Sequence, residues 1–135
     1  MSARHLYLIY NNMKKILIVE DEKNLSQIYK DTLEEVGYSV DIVNTGLSAI
    51  YYVKTTKPDL VILDINLPDM NGIKVLQEIK QGYSDLPVIV CTAYGQFEDH
   101  YKRFTDEEAR FYSYLTKPVA LEVLISEVKR AIGEP

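Results

Sequence analysis

The chain has 135 residues, 47% hydrophobic and 26% charged, which fits one globular domain and is short for two. Twenty acidic against 15 basic residues leave a net charge of −5, which argues against direct nucleic-acid binding, because duplex-binding surfaces carry a positive footprint. The single cysteine, Cys91, excludes an intramolecular disulfide and a structural zinc site, and no run of ~20 apolar residues is present to span a membrane. Set in the run VIVC, Cys91 reads as a small buried hydrophobe, and one cysteine fits a reducing cytoplasm.

Taken in chain order, residues 1–13 read as an N-terminal extension. A start-site artefact, a short arm or a disordered lead-in is the favoured reading, with an added strand or docking segment behind it. The apolar stretch Leu6–Tyr10 is too short for a signal peptide, and His5 reads as incidental. Residues 14–133 read as the domain proper. KILIVE (15–20) is a short aliphatic run ending in acid. DEKNLSQIYKDTLEEVG (21–37) spaces Leu25, Ile28, Tyr29, Leu33 and Val36 at helical intervals, and Gly37 stops it as a C-terminal cap would. YSVDIVN (38–44) is a second strand, and Thr45 is placed to cap a helix carrying Ala49, Ile50, Tyr52 and Val53. Pro58 ends that helix before DLVILD (59–64), and NLPDMNG (66–72) is a turn by composition. A helix over 73–82, a buried strand LPVIVCTA (86–93) and a polar, partly helical stretch over 94–111 follow. YSYLT (112–116), the turn Lys117-Pro118 and an amphipathic helix over 119–133 complete the pattern.

Five strands thus alternate with five helices. Nearly continuous Val, Ile and Leu in the strands predicts helices on both faces, and alternation predicts parallel βαβ units. The predicted fold is α/β: a doubly wound, five-stranded parallel sheet in a three-layer αβα sandwich. Ligands of such sheets bind at the carboxyl ends of the strands. Those ends here hold Glu20-Asp21, Asp64, Thr92 and Lys117. Three acids at one point repel unless a cation neutralises them, and an all-oxygen site with room for water suits Mg²⁺. An ammonium and a hydroxyl beside them suit a phosphoryl group, with a carboxylate as in-line nucleophile.

At these residues the chain resembles the response-regulator receiver family. The segments that carry the likeness are ILIVEDE (16–22), VILDINLPDMNG (61–72), VIVCTAYG (88–95) and YLTKP (114–118). The acid pair is Glu-Asp where Asp-Asp also occurs. The resemblance implies a flavodoxin-like (βα)5 fold with Asp64 as phosphoacceptor. It implies Asp21 as a direct Mg²⁺ ligand, Glu20 acting through metal-bound water, and Asn66 lending its backbone carbonyl. Thr92 becomes the switch hydroxyl, Tyr114 the switch aromatic, and Lys117 the partner of a phosphoryl oxygen, with a cis bond to Pro118. Tyr114 also reads as a merely packed aromatic, while Pro68 and Gly72 read as turn-shaping residues. His100 and the cluster TDEEAR (105–110) read as solvated. Tyr94, two past Thr92, is expected to flank the approach of water to Asp64 and to slow dephosphorylation.

The resemblance further implies a phosphorylation-controlled switch served by a sensor histidine kinase or phosphotransfer protein. Its output goes to a downstream protein target, without direct nucleic-acid or membrane contact. It acts as a monomer or a phosphorylation-dependent dimer, either stand-alone or as part of a longer regulator, with stand-alone favoured. The domain is then no enzyme toward other substrates; it catalyses its own phosphorylation and dephosphorylation. Two rivals fit less well. A phosphatase of the haloacid-dehalogenase type wants a second acid where Asn66 stands, and a degenerate docking receiver would lack Asp64 or Lys117. The fourth helix departs from the family pattern, since ARFYSYL replaces the usual Gly-Ala turn before the last strand.

Overall fold

The computed structural model describes residues 1–93 and 112–135. Tyr94, His100, the cluster over 105–110 and the whole fourth helix expected between 94 and 111 lie outside the described residues.

Helix α1 spans Ala3–Asn12, with the Ser2 hydroxyl accepting a hydrogen bond from the His5 amide at its start. None of its residues is buried. A helix is outside the readings offered for this segment, because five consecutive large apolar residues give no 3.6-residue stripe. Beyond it run β1 (Lys15–Val19), α2 (Lys23–Val36), β2 (Ser39–Val43), α3 (Gly46–Thr56), β3 (Leu60–Asp64) and α4 (Gly72–Gly82). Strands β4 (Val88–Ala93) and β5 (Ser113–Lys117) and helix α5 (Leu121–Ile132) complete the described chain.

All five strands form one parallel sheet in the order β2-β1-β3-β4-β5. Its two faces bury separate cores, as period-two alternation requires. Leu17, Val19, Val61, Leu63, Val88 and Val90 face α3 and α4, where Ala49, Val53, Leu76 and Ile79 meet them. Ile16, Ile18, Leu60, Ile62, Ile89 and Cys91 face α2 and α5, against Tyr29, Leu33, Leu124 and Val128. The three-layer sandwich predicted from the aliphatic runs is the fold observed.

The helix ends follow their local chemistry. Glu22 caps α2 by accepting from the amides of Asn24 and Leu25, so that helix begins two residues later than the sequence pattern suggests. Gly37 closes it at φ +124°, a conformation that side chains other than glycine rarely adopt. Thr45 caps α3 as predicted, accepting from the Ser48 amide at 3.1 Å. Asp69 adds a long-range cap, taking the amides of Gly46 and Leu47 at 2.8 and 3.1 Å. These bonds hold its carboxyl below the ordinary carboxylate range and dock the β3–α4 loop over the start of α3.

That loop closes tightly on itself. The Gly72 amide donates to the Ile65 carbonyl at 2.8 Å, and a β-carbon at Gly72 would lie 2.5 Å from Ile65 Cα and 2.7 Å from the Asp64 carbonyl oxygen. Gly72→Ala must therefore shift backbone, and it should cost about 1–3 kcal/mol in urea unfolding, as overpacking does. An unchanged unfolding midpoint would show that the loop yields freely.

Candidate functional site

The sheet order reverses direction between β1 and β3, and a doubly wound sheet opens its binding crevice at the carboxyl ends of such a pair. Glu20 follows β1, Asp64 ends β3, Thr92 lies near the end of β4 and Lys117 ends β5. Alternation puts Glu20 above Ile18, Asp64 above Ile62 and Lys117 above Leu115, all on the face covered by α2 and α5. An apolar floor thus supports a charged layer at the strand ends.

Within that layer the side chains meet. Carboxylate oxygens of Glu20, Asp21 and Asp64 lie within 4.8 Å of one another. Glu20 is 3% and Asp64 5% exposed, whereas Asp21 is open to solvent. The Lys117 ammonium bridges the two buried acids, donating to Glu20 Oε1 and to Asp64 Oδ2, the latter at 3.1 Å. Asp64 Oδ1 accepts from the Asn66 amide at 3.1 Å, and Glu20 Oε2 accepts from the Asp21 amide at 3.1 Å. The Lys117–Pro118 bond is cis, as the resemblance implied.

One ammonium does not balance three carboxylates. Burial, and then the neighbouring Asp64 carboxylate, push Glu20 from an ordinary 4.5 up to about 7, with Lys117 opposing. Burial alone would lower the Lys117 pKa, but its hydrogen bonds and charge pairing with Glu20 and Asp64 raise it above 10.5. The lysine is therefore firmly charged, and the excess negative charge rests on the acids. Burial also pushes the Cys91 thiol up to about 12, which makes it the inert core residue the sequence suggested.

The sign of the pH dependence follows. Between 4.5 and about 7 the folded chain binds a proton on Glu20 that the unfolded chain releases. This group's contribution to stability therefore falls as pH rises through that window. Without divalent metal, melting temperatures should decline more steeply from pH 5 to pH 8 in the wild type than in Glu20→Gln. Parallel declines would show that Glu20 titrates normally.

Of the residues singled out from sequence, Glu20, Asp21, Asp64 and Lys117 come together directly, and Asn66 joins them through its amide. Thr92 is 2% exposed on the strand next to Asp64, where Asp64 pairs in register with Cys91. Tyr114 is 41% exposed on β5, three residues before Lys117, and alternation sends the two to opposite faces. Two residues near the site were not picked out beforehand. Asp69 gave no signal beyond turn composition, and Tyr29, counted in the apolar stripe of its helix, lies under the site.

Comparison with known proteins agrees with this arrangement. The family model described as response regulator receiver domain matches residues 16–129. The chain is 36% identical over 115 residues to the transcriptional regulatory protein CusR of Escherichia coli K12, covering 85% of this chain and 49% of CusR. It is 31% identical to response regulator MprA of Mycobacterium leprae with the same coverage, so it spans about half the length of these curated relatives. Among solved structures, a CheY-like response regulator receiver domain protein from Methanospirillum hungatei JF-1 superposes with a TM-score of 0.82 at 28% identity, covering 90% of this chain and 94% of that one. The receiver domain of sensor histidine kinase PA1611 from Pseudomonas aeruginosa PAO1 superposes with a TM-score of 0.78 at 27% identity, covering 90% and 99%. That structure has a magnesium ion coordinated in its active-site cleft.

Proposed function

This chain belongs to the response-regulator receiver family, and from that premise we propose that it accepts a phosphoryl group on Asp64 from a sensor histidine kinase or phosphotransfer protein. What supports this above all is the Lys117 ammonium held between two buried carboxylates at the strand ends. A carboxylate oxygen of Asp64 attacks phosphorus in line, and the donor's leaving atom departs on the far side with its bonding pair. Lys117 turns to the new phosphoryl oxygens, and the buried Thr92 hydroxyl donates to another of them. The product is an acyl phosphate that water later cleaves. The domain in this reading catalyses its own phosphorylation and dephosphorylation and is no enzyme toward other substrates.

Glu20, Asp21 and Asp64, with the Asn66 carbonyl, are the groups that would hold Mg²⁺. Their chemistry fits: hard oxygen donors, close enough to share one small cation, with the exposed Asp21 side left to water. The ion, when bound, offsets the charge of the incoming phosphoryl group. Mg²⁺ alone should bind weakly and raise the melting temperature only at millimolar levels, and Asp21→Ala should erase that rise. A shift that survives in Asp21→Ala would place the metal elsewhere.

Phosphorylation would move Thr92 and then Tyr114, whose exposure on edge strand β5 suits a surface read by a downstream protein. A net charge of −5 disfavours DNA contact by the receiver itself. Relatives of twice its length are transcriptional regulators, so any contact with DNA would belong to parts beyond the receiver. Among the described residues no helix is long and apolar enough to cross a membrane, and the partner kinase domain in this reading is cytoplasmic. The phosphorylated form would act as a monomer or dimerise through the same edge.

A further inference from the structure

Tyr29 lies on the inner face of α2, 2% exposed, in the core layer formed by Ile18, Ile62 and Cys91. Ile18 and Ile62 sit at the foot of the charged layer, and Cys91 stands level with Asp64. Ile18 is two residues before Glu20, Ile62 two before Asp64, and Cys91 pairs in register with Asp64 and Leu115. Leu115, two before Lys117, packs against the same cluster. The Tyr29 side chain is therefore buried on the same face of the sheet as the floor of the site.

Among the described residues its hydroxyl is the one buried side-chain oxygen or nitrogen without a hydrogen-bond partner. Buried polar groups are almost always paired, because leaving one unpaired forfeits its hydration without return. A phenylalanine would fill the same volume without that cost. Burial, and then Cys91, push the phenol up to about 12, with smaller effects from Lys117, Glu20 and Asp64, so the hydroxyl is neutral.

We propose that Tyr29 is a positioning residue for the phosphoryl chemistry: its hydroxyl accepts a hydrogen bond from the Lys117 ammonium once that ammonium leaves Glu20 for a phosphoryl oxygen on Asp64. The inference rests on Asp64 being the phosphoacceptor. Lys117 carries three N–H donors, of which one goes to Glu20 and one to Asp64 in the resting arrangement. A phosphoryl group bears more charge than Glu20 and draws the ammonium to itself. The donor released from Glu20 then faces a floor of apolar side chains and the weakly accepting Cys91 sulfur, while the other phenol of that layer among the described residues, Tyr38, is engaged with the Gly133 carbonyl. The Tyr29 oxygen satisfies that donor and fixes the ammonium in line with the phosphoryl oxygen.

The test compares wild type, Tyr29→Phe and Asp64→Asn with acetyl phosphate and Mg²⁺, following the gain of one phosphoryl group by intact mass. Tyr29→Phe should melt at or above the wild-type temperature, since it removes an unpaired hydroxyl. Its saturated phosphorylation rate should fall about tenfold, the worth of a charge-assisted hydrogen bond partly formed in the transition state. The acetyl phosphate concentration giving half that rate should not change. Equal saturated rates in wild type and Tyr29→Phe, or a lower melting temperature in the variant, would overturn this inference alone. A wild-type chain that gains no phosphoryl group, or Asp64→Asn that still gains one, would overturn the proposed function and this inference with it.

Discussion

Lys117→Met should destabilise the fold by about 3–5 kcal/mol in urea unfolding at pH 8, the usual cost of breaking a buried ion pair from one side. The lysine side chain is 22% exposed, and the side chains of its partners Glu20 and Asp64 only 4% and 7%, so water solvates their oxygens poorly in place of the ammonium. Methionine preserves most of the aliphatic stem and removes the charge. The loss should shrink toward pH 5, because Glu20, pushed up to about 7, is protonated there and no longer needs the missing cation. A pH-independent loss would mean that the lysine contributes packing and not charge. The same variant should be phosphorylated far more slowly, since no cation then meets the phosphoryl oxygens.

Asp64→Asn has the opposite effect on stability and the larger effect on function. The amide keeps the volume of the carboxylate, and its oxygen still accepts from the Asn66 amide. One of three mutually repelling charges disappears. Folding should gain about 1–2 kcal/mol at pH 8, because the Asp64 charge no longer opposes ionisation of Glu20. The Glu20 pKa should drop at the same time, because the neighbouring carboxylate is one of the causes that raise it. Phosphoryl acceptance should vanish, since an amide oxygen is no nucleophile toward phosphorus. A variant no more stable than wild type would show that Lys117 already neutralises Asp64 in full.

Strand positions and their parallel order were legible because aliphatic runs such as VILD and VIVC only make sense with both faces covered. Once the order is known, the ends of the strands follow, and Glu20, Asp21, Asp64 and Lys117 meet there as the sequence implied. Thr45 and Gly37 were legible as caps because their partners are near in sequence. Asp69 was not, because the amides it caps lie 22 and 23 residues away and no local pattern announces them. Tyr29 is the plainest case. Its spacing in α2 marks it as core and is right, but whether its hydroxyl is paired depends on Ile18, Ile62 and Cys91, which arrive from three different strands. The helix over Ala3–Asn12 escaped for another reason: its apolar residues are consecutive and bury nothing, so neither period applies.

Intact mass of the wild type and of Asp64→Asn, after incubation with acetyl phosphate and Mg²⁺, tests the central claim most directly. The wild type should gain the mass of one phosphoryl group, lose it again at alkaline pH as acyl phosphates do, and the variant should gain nothing. A phosphoryl group that appears on Asp64→Asn, or one on the wild type that survives alkali, would place the acceptor at another residue and contradict the account.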